Sequence, residues 1–239
     1  MGKQNIFTKK ENLSVEISEK GTVTKPSNLL PVHVSTKSLT TIDRKTIALK
    51  YYNSFNFSKL AATFDNRKMT IGITSANRYD GKTLVAANMA VSLASGYKQK
   101  TVLVDMNFRH PELHNIFGTN QSPGVAEAIA NKKVRVVPTS INNLYLMTAG
   151  DSEISPGIEQ TLQLRQILST LKNTFDFVII DMGSICPIDD FPIHFINEID
   201  SLIGVIDSKK TKKADFKNIF KHLDESHFIG YVFNRVNKS

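Results

Sequence analysis

Residues Met69–Ala94 read MTIGITSANRYDGKTLVAANMAVSLA. A short apolar run gives way to a small-polar loop that closes on Gly81-Lys82-Thr83, and an apolar segment of helical period follows at once. Strand, loop, helix in that order is the sequence form of a phosphate-binding P-loop. Glycine lets the backbone approach a phosphate, the lysine ammonium reaches the terminal phosphates, and the threonine hydroxyl can ligate Mg²⁺. The new helix turns its positive dipole end and its free N–H groups toward the anion. The full pattern has Gly where Ala76 stands, and the four residues before Gly81 are Asn77, Arg78, Tyr79 and Asp80. The bulky Tyr79 departs from a loop that favours small residues. The tripeptide alone also suits a basic strand-to-helix turn with a solvated lysine.

The rest of the chain supplies the frame for such a loop. Its 239 residues, 41% hydrophobic and 22% charged, suit one α/β domain with a tail. We read residues 1–40 as a polar, flexible arm with short extended pieces at Leu13–Ile17 and Val32–Val34, and residues 41–239 as the folded domain. A helix over 43–57 would bury Ile47, Tyr51 and Phe55. Strands are predicted at Met69–Ile73, Thr101–Val104, Leu144–Thr148, Phe177–Ile180, Leu202–Ile206 and Ile229–Phe233. Helices are predicted at Gly81–Ser95, Val125–Ala130, Gln160–Asn173, Asp190–Ile199 and Lys212–Leu223, with Asp189-Asp190 capping the fourth. This alternation specifies a doubly wound, mostly parallel sheet of the P-loop nucleoside triphosphate hydrolase type. Right-handed crossovers put every parallel strand's C-terminal end on one edge, where ligands bind.

Gly81-Lys82-Thr83, Asp105 and Asp181 all sit just past such ends. Asp181 closes an apolar strand, as a Mg²⁺-associated carboxylate in a P-loop protein requires, and it also suits a turn or cap. Asp105 is a second carboxylate that can position a nucleophile or act as general base, and Arg109 can pair with it or stabilise transferred charge. His110 and His114 lack a third ligand, which argues against a metal centre there. The single cysteine, Cys186, excludes an internal disulfide and a cysteine-based metal site. No run reaches the ~18 apolar residues of a membrane span, and the first ten residues lack a signal-peptide core. The net charge of +8 comes from scattered lysines without interleaved aromatics, a pattern that argues against nucleic acid as a partner.

Three segments together carry a resemblance: ITSANRYDGKTLVAANMAVSLA, then TVLVDMNFRHPELHNIFG, then FDFVIIDMGSICPIDD. In this order they resemble the bacterial tyrosine kinases (BY-kinases) of capsule and exopolysaccharide export, within the Min/Par-type group of P-loop ATPases. The resemblance spans about residues 42–236. It implies ATP and Mg²⁺ as ligands, with the nucleotide on Ala76, Asp80, Gly81, Lys82, Thr83 and Leu84 and, near the adenine, on Asn234-Arg235. It implies Thr83, Asp105 and Asp181 around the metal, and Asp105 with Arg109 as catalytic groups. It further implies a cytoplasmic protein, peripheral to the inner membrane, that works with the cytoplasmic segment of a polysaccharide chain-length determinant or co-polymerase. A homo-oligomer stays open.

The departures bear on activity. The family's first motif usually carries Pro-Gly-Glu before Gly-Lys, where this chain has Arg78-Tyr79-Asp80. Its second motif usually has two aspartates, and here the second is Asn107, which lacks the charge and basicity. The Glu-x-x-Arg-x-x-Arg oligomerisation pattern is not intact over 43–57. The sequence closes on YVFNRVNKS with Tyr231 alone, read as structural, in place of a tyrosine cluster. Three readings therefore follow: an active tyrosine kinase or ATPase, a degenerate nucleotide-binding regulator of polysaccharide polymerisation and export, and a Min/Par-like positioning ATPase at membrane or nucleoid. The departures favour the regulator. Asn77 near the place of those ATPases' extra lysine, and the lack of an amphipathic helix after Phe233, disfavour the third.

Overall fold

The computed structural model describes residues 32–34, 68–151, 158–186, 193–221 and 223–236. The predicted helix over 43–57, the Leu13–Ile17 piece and Asp189-Asp190 lie outside them. Eight strands, β1 (Val32–Val34), β2 (Met69–Ser75), β3 (Thr101–Met106), β4 (Val134–Pro138), β5 (Leu144–Met147), β6 (Phe177–Ser184), β7 (Ser201–Asp207) and β8 (Phe228–Asn234), form one sheet in the order β1-β4-β5-β3-β6-β2-β7-β8. All neighbours are parallel except β4 and β5. The extended piece at Val32–Val34 is thus an edge strand on β4. The described helices are α1 (Lys82–Val91), α2 (Leu113–Phe117), α3 (Val125–Asn131), α4 (Ile158–Thr174) and α5 (Lys213–Ile219).

Strand alternation divides the core into two layers. Ile71, Ile73, Leu103, Ile179, Ile203 and Val205 face α1, against Val85, Met89 and Leu93. Val102, Val104, Val178, Ile180 and Leu202 face the other way, against Leu164, Ile167, Leu168 and Leu171 of α4 and Val125 of α3. Both faces of the central strands are therefore buried, which is why those strands read as unbroken apolar runs. Gly72 belongs to the second layer. A Cβ there would lie 2.7 Å from the Met182 sulfur and 2.8 Å from Leu202 Cδ2, so the closeness of that layer depends on its absence.

The fold class agrees with the sequence reading, and the differences have local causes. The central strands run past their predicted ends, so Asp105 and Asp181 lie inside β3 and β6 rather than after them. α1 passes at Ser92 into a π-helical turn that ends at Gly96. The described part of the predicted 190–199 helix is a 3₁₀ segment, Ile193–Glu198. Two elements had no expectation: α2, and β4, whose buried Val134 and Val136 flank an exposed Arg135.

The amino edge of the sheet is fastened by Asp200. Its Oδ2 accepts from Thr70 N and Thr70 Oγ1, both at 2.8 Å, and its Oδ1 takes Lys172 Nζ at 2.6 Å. One carboxylate thereby ties β2, the entry to β7 and the end of α4. Asp200→Ala is expected to lower unfolding free energy by about 1–2 kcal/mol in a urea titration. Ligand affinity should stay unchanged, because the site lies at the opposite edge.

Candidate nucleotide site at the carboxyl edge of the sheet

Alternation also decides which polar side chains meet. Asp105 follows Leu103, Asp181 follows Ile179, and Asp207 follows Val205, each by two residues, so all three carboxylates point to the α1 face. Asp105 and Asp181 are direct register partners on β3 and β6, and Asp181 pairs with Ile73 on β2. The loop leaving β2 at Ser75 must therefore cross above them before α1 begins. Gly81, at φ 98, makes the final turn in the left-handed region that glycine favours. The first bond of the new helix is Val85 N to Gly81 O, so the N–H groups of Lys82, Thr83 and Leu84 have no intrahelical partner. They open onto a cleft of about 490 Å³ lined also by Asn107, Arg109 and Ser184.

Lys82 is 6% exposed. Burial lowers its pKa, and the nearby Asp181 and Asp80 carboxylates oppose that shift. Asp181 is fully buried, and neither of its oxygens accepts a well-formed hydrogen bond, the Thr83 hydroxyl being close by. Desolvation raises it from 3.8 to about 7, against the pull of the Lys82 charge and the nearby Thr83 hydroxyl. A buried carboxylate without a hydrogen bond costs free energy unless a cation or donor arrives. Beside a threonine hydroxyl and beneath a phosphate-type loop, that orphaned group fits a Mg²⁺ ion, whose ligands are oxygens. Among the described residues there is no cluster of three or more His, Cys, Asp or Glu suited to a metal, so any ion here would take its remaining ligands from phosphate and water.

Asp105 is placed differently. Its Oδ1 accepts Asn107 N at 3.1 Å, and its Oδ2 accepts Glu112 N at 3.2 Å and Leu113 N at 3.1 Å. It fixes the Asn107–Glu112 turn and the start of α2, which form one wall of the cleft. Burial, and then the Asp181 charge, push its pKa well up. The Asn107 carboxamide donates to the His110 carbonyl within the same turn. Arg109 stands exposed on that wall. The carboxylate that lines the cleft is Glu112, a residue without an assignment in the sequence reading, although it sits in the motif segment.

The remaining predicted residues surround the loop. Ala76 is buried, and its carbonyl accepts Cys186 N at 3.0 Å, which docks the loop's base onto the end of β6. Asp80 is 2% exposed and turns inward, with Oδ2 accepting Asn77 N at 3.0 Å and Oδ1 accepting Thr211 Oγ1 at 3.1 Å. Leu84 and Arg235 line the cleft. Asn234 lies against the loop backbone, its Nδ2 donating to Asp80 O at 2.9 Å. Sequence reasoning missed Asp207 and Thr211, which hold these groups. The signal for Asp207 was present, since it ends the apolar run Leu202–Ile206 just as Asp181 ends its own.

No protein-family model matches the chain. Individual proteins do. CapB of Staphylococcus aureus is 28% identical over 219 residues, covering 89% of this chain and 92% of CapB. The tyrosine-protein kinase CpsD of Streptococcus pneumoniae is 28% identical over 200 residues, covering 80% of this chain and 86% of CpsD. The succinoglycan biosynthesis transport protein ExoP of Rhizobium meliloti is 24% identical over 75% of this chain, which spans 25% of ExoP. Among solved structures, the VpsO kinase domain matches with a TM-score of 0.70 at 25% identity, covering 82% of this chain and 98% of that one. The septum site-determining protein MinD of Pyrococcus horikoshii, solved with Mg-ADP, shares the fold with a TM-score of 0.55 at 19% identity, over 72% of each chain. By sequence and by fold, the chain is similar to bacterial tyrosine kinases and to an exopolysaccharide biosynthesis protein, with MinD as a more distant structural neighbour.

Proposed function

We propose that the chain binds MgATP at this edge and acts as a tyrosine-kinase-like regulator of capsule or exopolysaccharide polymerisation and export, with weak turnover of its own. The observation that carries the reading is the buried Asp181 carboxylate, without a well-formed hydrogen bond, beside Lys82 and Thr83. Thr83 and Asp181 would hold the ion, and Mg²⁺ when bound would offset phosphate charge. Lys82 and the helix-start N–H groups would bind the phosphates. Asp105 would orient the wall that carries Arg109, and Arg109 would meet charge on the terminal phosphate.

Weak turnover rests on the groups that stand where a base would act. Asn107 cannot take a proton at neutral pH. The Asp105 oxygens already accept backbone bonds and sit below the cleft. General-base work needs a group within hydrogen-bond reach of the acceptor hydroxyl, and Glu112 alone among the lining residues is a carboxylate. Purified protein with MgATP and a tyrosine peptide is expected to give phosphotyrosine only near background. Robust phosphorylation would overturn the weak-turnover part of the proposal.

No described helix is long and apolar enough to cross a membrane. ExoP carries a region similar to this chain within a protein four times the matched length and is named for transport. That supports a cytoplasmic chain working beside a separate inner-membrane chain-length determinant.

Calorimetric titration tests the binding itself. Wild type should bind MgATP, and Lys82→Ala should weaken binding by about a hundredfold, the loss of one buried charge-assisted contact. Equal affinity of the two proteins, or no binding by wild type, would count against the site.

Asp181 gives a second test, through pH. Folding raises its pKa from 3.8 to about 7. Over that window the folded protein keeps a proton that the unfolded chain has lost, so ligand-free stability falls as pH rises through it. Asp181→Asn removes this loss. Its melting temperature without ligand should exceed wild type by a few degrees at about pH 8 and converge with it near about pH 4. Added MgATP should raise the melting temperature of wild type but not of the variant.

A further inference from the structure

The outer half of the phosphate loop is fastened by residues far away in sequence. Tyr79 sits at φ 67, in the left-handed region, and the residue is 77% exposed. A non-glycine residue there costs about 1–2 kcal/mol, so something must hold the turn. The Arg235 guanidinium donates from Nη1 to Tyr79 O at 3.0 Å and, through the same nitrogen, to the buried Asp207 carboxylate. The Asn234 carboxamide donates to Asp80 O at 2.9 Å, while its Oδ1 accepts Arg235 N at 2.9 Å. Asp207 also accepts Lys209 N at 2.9 Å, and its own N–H donates to Thr211 Oγ1 at 3.1 Å. Thr211 in turn donates to Asp80 Oδ1. Asn77 Nδ2 reaches Asp215 Oδ2 at 3.1 Å, at the start of α5.

Every residue from Asn77 to Gly81 except Arg78 thus meets the β7–α5 turn, the first turn of α5, or Asn234-Arg235 at the end of β8. The contact at Gly81 is steric: a Cβ there would lie 2.1 Å from Asn234 Nδ2. These contacts use the polar atoms of Asn234, and both bonds of Arg235 Nη1 go to protein. The two hydrogen bonds that Asn234 and Arg235 make to the loop go to main-chain carbonyls, which hold the loop's shape rather than a ligand's identity.

We propose that Asn234, Arg235, Asp207 and Thr211 form a latch that sets the phosphate loop in its binding shape before nucleotide arrives, and that Asn234 and Arg235 act on the loop rather than on the nucleobase. This rests on the MgATP reading for its ligand but not for its structural content. A latch of this kind changes affinity for any phosphate chain equally, whereas a base contact changes affinity for ATP alone.

The test compares two ligands and one ligand-free measurement on the full chain. Asn234→Ala and Arg235→Lys are titrated with Mg-ATP and with Mg-tripolyphosphate, with melting curves to confirm folding. The latch predicts that both affinities fall by the same factor, about tenfold, equivalent to one lost hydrogen bond. A loss confined to ATP, or no loss for either ligand, overturns it. Thr211→Val, at a residue that does not line the cleft, should show the same parallel loss at smaller size. Amide hydrogen exchange of ligand-free protein reads the loop directly. The Asn77–Gly81 amides should exchange about tenfold faster in each variant, and unchanged exchange overturns the latch. If wild type binds neither ligand, the MgATP proposal fails while exchange still decides the latch.

Discussion

Burying charge at the end of a sheet is the constraint around which this molecule is arranged. Lys82, Asp105 and Asp181 are all buried on one face, two carboxylates against one ammonium. Such a group cannot rest on hydrophobic packing, since each ion loses its hydration. Asp105 is satisfied by three backbone N–H groups. Asp181 has only the Lys82 charge and the Thr83 hydroxyl nearby. The apolar strands that carry them provide a rigid floor, so the imbalance cannot relax by moving the backbone. A divalent cation bound with a phosphate chain, as proposed above, would offset the unpaired carboxylate charge and leave the floor in place.

Much of the fold was legible because the sheet is buried on both faces. Runs such as Val102-Leu103-Val104 and Val178-Ile179-Ile180 have no polar interruption, and only a central parallel strand asks for that. Strand ends were less legible, since Asp105 and Asp181 look like terminators by composition yet remain in the ladder. A carboxylate can end the apolar signal without ending the hydrogen bonding. β4 escaped because its pattern, Val-Arg-Val, is short and half-exposed, and its antiparallel pairing to β5 departs from the alternation seen elsewhere.

For the candidate site, the sequence named residues that the fold brings to one edge of the sheet, but not their contacts with one another. Lys82 and Thr83 stand at the cleft, where a phosphate-loop motif puts them. Asp105, a candidate catalytic and metal-associated carboxylate by sequence, also holds the Asn107–Glu112 turn from beneath. Asp80, Asn77 and Asn234 could not be sorted from sequence, because what separates a ligand contact from an internal brace is which carbonyl lies nearby. That depends on β7 and β8 coming alongside β2, a contact across more than a hundred residues. Asp207 was the exception, since its pattern matched Asp181 and could have been found.

The loop's departures from the resembling family take a different meaning in three dimensions. The position where that family usually has glycine is Tyr79, and the backbone there does adopt a positive φ of 67. The turn's shape is thus kept without the residue that makes it easy. The ring does not fill the phosphate cradle. It projects into solvent with the Arg78 guanidinium 6.0 Å from its centroid, while the carbonyl is fixed from the other side by Arg235. Tyr79 therefore argues against phosphate binding less than its size suggests. On the opposite wall a carboxamide, Asn107, stands in place of a second aspartate, and the first, Asp105, is occupied by backbone. In the proposed site, binding and turnover would depend on separate sides of one cleft, so a chain could lose the second while the first remained intact.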